Sequence, residues 1–119
     1  MRDGTYHLVI DALFGFSFSG APRPPFDALI AATAEAAREN RCRVLSVDVP
    51  SGWPVDGEGK PSDDALEPHA LISLTTPKAC ARHFRGTHYL GGRFVPPAIV
   101  RDFDLKLPEY PGVAAVVRL

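Results

Sequence analysis

His7-Leu8-Val9-Ile10-Asp11-Ala12-Leu13-Phe14 and Val44-Leu45-Ser46-Val47-Asp48-Val49-Pro50-Ser51-Gly52 are two apolar runs, each meeting an aspartate near its carboxyl side. The first is almost continuously apolar, so it predicts a strand buried on both faces, as in a parallel sheet. Between the runs, residues 15–25 are rich in Gly, Ser and Pro and read as a loop. Pro24 or Pro25 suits a helix start, where a missing N–H costs nothing. Phe26, Leu29, Ile30, Thr33, Ala34 and Ala37 then recur at helical spacing, and Arg38-Glu39-Asn40-Arg41 closes the helix with polar residues. Strand, loop, helix and strand make a βαβ unit with a right-handed crossover.

Outward from that unit, residues 53–68 are polar and rich in Gly, Pro and Asp, and predict a long surface loop. His69-Ala70-Leu71-Ile72-Ser73-Leu74-Thr75 reads as a third strand, and residues 77–84 as a short helix. Phe94-Val95 predicts a short strand, residues 97–103 a helical turn and residues 113–117 a last strand. The expected domain is a single α/β unit over residues 1–119 with four or five strands. Because Met1-Arg2-Asp3-Gly4 lies just ahead of a strand expected to be central, the pattern suggests the second half of a larger α/β domain, lacking its opening strands. An exposed sheet edge left by such a cut predicts poor stability of the 119 residues alone.

Composition narrows the function. A formal net charge of -1 offers no basic stripe for nucleic acid or for an acidic membrane. No apolar run approaches the ~20 residues that span a bilayer. Two cysteines, Cys42 and Cys80, cannot staple a secreted scaffold and read as buried thiols.

Asp11 and Asp48 fall at the carboxyl ends of consecutive strands, where open α/β sheets bind ligands. Aspartates also cap turns after strands, and that reading weighs about equally for either one alone. Asp11, Ser51 and nearby carbonyls are hard oxygen donors suited to an alkali or alkaline-earth cation. The loop Gly15-Phe16-Ser17-Phe18-Ser19-Gly20-Ala21 could bring backbone N–H groups to an anion at a helix start, although it matches neither dinucleotide nor Walker fingerprints. Lys78 follows the third strand at the same rim, placed to hold phosphate or to move a proton beside Asp48. Arg93 reads as part of a turn-and-edge device. His7, His69, His83 and His88 show no metal spacing, and no serine sits in a nucleophile elbow.

Four segments recur together in a known family: 8–20, 47–53 (Val-Asp-Val-Pro-Ser-Gly-Trp), 73–78 (Ser-Leu-Thr-Thr-Pro-Lys) and 88–97 (His-Tyr-Leu-Gly-Gly-Arg-Phe-Val-Pro-Pro). In that order they resemble the NAD(P)H-hydrate epimerase family, the YjeF N-terminal domain family, whose animal members are also called apolipoprotein A-I-binding protein. The resemblance implies a Rossmann-like, three-layer α/β/α fold with a mostly parallel sheet, of which this chain is the C-terminal portion. It implies epimerisation of the R and S forms of hydrated NADH and NADPH, with one potassium ion per subunit. By the same resemblance Asp11 and Ser51 are cation ligands, and Gly15, Phe16, Ser17, Phe18, Ser19, Gly20 and Ala21 hold the substrate's phosphates. Asp48 contacts the substrate and is catalytic, and Lys78 is the second catalytic group.

The resemblance further implies a homodimer, an apolipoprotein A-I-type partner, and neither nucleic acid nor membrane as a target. The expected compartment is the cytoplasm, or the mitochondrion where a preceding region carries a transit peptide. Two departures stand out. Family loops carry a polar residue where this chain has Ala21, and the family's Asn-Asn-Gly-Gly-Asp-type loop is absent from the 119 residues, which bears against activity of this chain alone. Two other readings stay open on sequence: a non-catalytic interaction module and a generic nucleotide-binding fragment.

Overall fold

The computed structural model describes residues 6–58 and 61–119. The elements are β1 (Leu8–Asp11), α1 (Phe26–Arg38), β2 (Arg43–Val47), β3 (Ala70–Leu74), a 3-10 turn (Ala79–His83), β4 (Thr87–Gly91), α2 (Pro97–Asp102) and β5 (Val116–Arg118). They build one five-stranded sheet in the order β1-β2-β3-β4-β5. Neighbours from β1 to β4 are parallel, and β5 closes the far edge antiparallel to β4. The fold is α/β with a mostly parallel sheet, as expected.

Helix α1 follows from its sequence. Pro25 is the N-cap, Asp27 lies in the first turn and Arg38 in the last, each matching the sign of the helix dipole at its end. The helix stops because Asn40 turns left-handed (φ 54°). Its N–H donates to the Ala37 carbonyl at 3.0 Å, and the Arg41 N–H reaches the Ala36 carbonyl at 2.9 Å, the paired bonds of a Schellman stop. Ala34, Ala36 and Ala37 carry so little side chain that the helix sits close to the sheet. They form a core with Cys42, Val44 and Leu66, with Val9 and Ile30 packed against it.

Alternation along the strands sorts two faces. Val9, Asp11, Val44, Ser46, Leu71, Ser73 and Leu90 share the face under α1, and of these all but Val9 are fully buried. The opposite face carries Leu8, Ile10, Leu45, Val47, Ile72 and Leu74, and it is open. Leu8 is 54% and Ile10 61% exposed, while the other four are half-buried.

Several expectations need correction. β1 is not buried on both faces. It is the edge strand, paired only with β2 among the described residues, and its helix covers one side. It also ends at Asp11 rather than running on to Phe14. The strand expected at Phe94-Val95 is a turn, with the Val95 N–H donating to the Gly92 carbonyl at 2.9 Å. The strand lies earlier, at β4, where Thr87, His88 and Gly91 disguise it. The short helix after β3 is a 3-10 turn, and the last strand is only Val116–Arg118. Among its described residues the segment 53–68 has no regular structure, but it is not simply a surface loop. Trp53, Leu66 and Pro68 are buried, and the Trp53 indole N–H donates to the Leu66 carbonyl at 2.8 Å. Arg93 serves the fold as read: its guanidinium donates to the Gly112 and Ala114 carbonyls. Met1-Arg2-Asp3-Gly4 lies outside the described residues.

Candidate functional site at the carboxyl rim

Asp48 sits one residue past β2 in the left-handed region (φ 72°), held by its N–H donating to the Ile72 carbonyl at 2.7 Å. A non-glycine residue there costs about 1–2 kcal/mol, so the surroundings must hold it. Thr75 repeats the conformation one strand over (φ 67°), with its N–H on the Gly91 carbonyl at 2.7 Å. Gly92 makes that possible, since a Cβ on it would come within 2.8 Å of the Thr75 backbone. The strand end so fixed delivers Lys78. Its Nζ donates to Asp48 Oδ1 at 2.5 Å and to the Leu74 carbonyl at 2.8 Å. Both side chains are largely buried, so this pair is far less screened than a surface salt bridge.

The loop after β1 is fastened onto the turn after β2 at two points. The Phe16 N–H donates to Asp48 Oδ2 at 3.0 Å, and the Phe14 N–H to Ser51 Oγ at 3.3 Å. Gly15 permits the first, because a Cβ there would lie 3.1 Å from Asp48 Oδ2. Phe14 stacks on Phe18 with ring centroids 3.9 Å apart and meets Phe26 edge-on at 5.6 Å, which shapes the rest of the loop. The Phe16 ring lies exposed with its centroid 5.6 Å from Lys78 Nζ, inside cation–π range. Among the described residues, the N–H groups of Ser17, Ser19 and Gly20 donate to nothing in the chain. They stand on the loop beside a cleft of about 540 Å³, lined from Phe16 to Gly20 on one side and from Gly52 to Asp56 on the other. Ala21 does not line it.

Asp11 has a different environment. Its carboxylate accepts from Ser46 Oγ at 2.7 Å, from the Ser51 N–H at 2.9 Å and from Ser51 Oγ at 2.6 Å. All of these groups are buried. The two aspartates therefore leave the same rim, as expected, but do not form one pair. Asp48 joins Lys78 and the Phe16 N–H, whereas Asp11 joins Ser51 in a cluster of its own. Ser46 was missed by sequence reasoning. Its signal was a serine in the middle of an apolar strand, a position that demands a buried partner.

Whether Asp11 and Ser51 suit a monovalent cation turns on their free lone pairs. A carboxylate offers about four acceptor positions and Asp11 uses three, while the Ser51 hydroxyl donates once and accepts once. Each can still lend one hard oxygen, and with a single negative charge the pair matches an alkali ion better than a divalent one. Among the described residues, no group of three or more His, Cys, Asp or Glu side chains could hold a metal.

The imidazoles lie away from this rim. His88 Nε2 and Ser73 Oγ are 2.8 Å apart, and the Phe84 ring meets His88 edge-on. Burial holds His88 below the usual imidazole range, and burial followed by the nearby Arg43 cation does the same for His69. Cys42 and Cys80 are buried free thiols, and burial pushes Cys80 up.

A family model described as YjeF-related protein N-terminus matches residues 1–80. The NAD(P)H-hydrate epimerase of Caenorhabditis elegans is 45% identical over 117 residues, covering 96% of this chain and 48% of that one. The Arabidopsis thaliana protein named pyridoxine/pyridoxamine 5'-phosphate oxidase 1, chloroplastic, is 48% identical over 120 residues, but these are only 22% of its length. The crystal structure of yeast YNL200c matches with a TM-score of 0.84 and 37% identity, over 95% of this chain and 46% of that one. The chain thus spans half or less of the length of these relatives.

Proposed function

Since this chain belongs to the YjeF-related protein N-terminus family, we propose that it serves the epimerisation of hydrated NADH and NADPH, interconverting their R and S forms. The observation that carries this reading is the Asp48–Lys78 pair, set at the strand rim and bonded to a loop whose Ser17, Ser19 and Gly20 N–H groups have no acceptor among the described residues. The loop N–H groups of Ser17, Ser19 and Gly20 are the donors for the substrate's phosphates.

Hydration leaves a hydroxyl on a ring carbon beside the nitrogen. Lys78 passes a proton to Asp48, and Asp48 gives it to that hydroxyl. The C–O bond breaks, its electron pair leaves with water, and the nitrogen lone pair forms the C=N⁺ bond. The Asp48 carboxylate then steadies the cation electrostatically. Water adds to the opposite face and loses its proton to solvent, which reprotonates Lys78, so nothing is consumed. A potassium ion, which the family resemblance implies, would be held by Asp11 and Ser51 and would supply fixed positive charge. Homodimer formation and an apolipoprotein A-I-type partner belong to the same proposal, as does a cytoplasmic location.

The test is stereospecific conversion of R to S hydrate by the chain and by its Asp48→Asn variant. Conversion by the parent and a loss of about 10²–10⁴-fold in the variant supports the mechanism. Equal turnover by both removes Asp48 from it.

A further inference from the structure

A second cleft lies on the helix side of the sheet, toward the amino ends of β3 and β4 and away from the Asp48–Lys78 pair. It encloses about 300 Å³, the lower end of the range for small-molecule sites and room for one ring rather than a dinucleotide. Its apolar lining includes Trp53 and Phe84, the ring held in place by the Trp53–Leu66 hydrogen bond. Its polar lining is mostly cationic or donating. Arg85 is exposed and makes no ion pair among the described residues. Arg38 meets only the exposed Asp64, at 3.9 Å. His69 accepts the Val44 N–H on Nδ1 at 3.1 Å, so its neutral ring carries hydrogen on Nε2 and can donate it. Glu67 is the one acid in the lining.

From this lining we propose that the cleft is a binding site for a small aromatic anion, an aryl carboxylate or aryl phosphate. The ring lies against Trp53 and Phe84, and the anionic group takes a fork of N–H donors from Arg85, with His69 as a neutral donor. With Arg38 turned to Asp64, Arg85 is the guanidinium left for the ligand's anionic group. Trp53 also lines the cleft beside the 16–20 loop, so it is the wall between the two hollows.

Trp53 is the only tryptophan in the chain, so its fluorescence reports on both hollows, and the variants below tell them apart. Phenyl phosphate and benzoate should change the emission saturably, whereas benzyl alcohol, benzylammonium and inorganic phosphate should bind at least about 10-fold more weakly. Arg85→Glu, an exposed change that leaves the core intact, should weaken phenyl phosphate about 10-fold or more. Glu67→Gln should tighten it a few-fold. A Ser19→Glu change in the other cleft should leave it unaltered. The proposal is overturned by a flat titration, by equal response to benzylammonium, or by binding that survives Arg85→Glu and is lost in Ser19→Glu, which would put the ligand at the other cleft.

Discussion

Asp11 and Asp48 are the same residue type at the same rim of one sheet, on adjacent strands, and both are buried (5% and 8% exposed). Their surroundings separate them. Asp11 accepts three hydrogen bonds from neutral donors, all from β2 and the turn after it, and makes no ion pair among the described residues. Asp48 pairs with a lysine and holds a backbone N–H of the loop, in a backbone conformation that must be enforced. A carboxylate closed in by hydroxyls ties strands together, whereas one set against an ammonium has an exchangeable proton beside it. Position after a strand nominates a residue for chemistry, but its partners decide.

Variants can break that contrast. The largest effect expected is on rate: Asp48→Asn should lower epimerisation by about 10²–10⁴-fold, and it also costs stability because the Lys78 ammonium loses its buried partner. Asp11→Ala should act on the fold first. It strands two hydroxyls and an N–H in the interior, and should cost about 3 kcal/mol of stability in urea unfolding. If Asp11→Ala unfolds no more easily than the parent, the structural share assigned to Asp11 is wrong.

Acid gives a third probe, because His69 and His88 are held below the ordinary imidazole value of 6.5. The unfolded chain then binds more protons than the folded one as pH falls, so stability is full above about 6.5 and declines below it. The urea midpoint should drop between pH 7.5 and 5, and His88→Gln should flatten the decline. Smallest is Ser46→Ala, which removes one of the three donors to Asp11. It should cost about 1–2 kcal/mol and leave turnover by the remaining folded protein unchanged.

Much of this was legible in the sequence. Apolar runs found β2 and β3, helical spacing found α1, and strand ends placed Asp11, Asp48 and Lys78 at one rim. What escaped was whatever depends on neighbours. Leu8 and Ile10 look the same in a central strand as at an open edge, because burial is conferred by what packs above them. Thr87-His88-Tyr89-Leu90-Gly91 hides a strand whose histidine is answered by Ser73 only once β3 and β4 are aligned. The separate fates of the two aspartates hung on Ser46 and on one N–H of Phe16, and no spacing rule in a chain reports a bond across 32 or 35 positions.

Gly15 offers a way to separate distance from charge at this centre. Adding one methyl group, as Gly15→Ala, alters no ionisable side chain yet places a carbon 3.1 Å from Asp48 Oδ2, tighter than most real contacts of its kind. The loop must then retreat by a few tenths of an ångström, carrying the Phe16 N–H with it. How much turnover that small retreat costs, measured against the charge-deleting change, would tell how finely the reaction depends on where the carboxylate is held rather than on its being there.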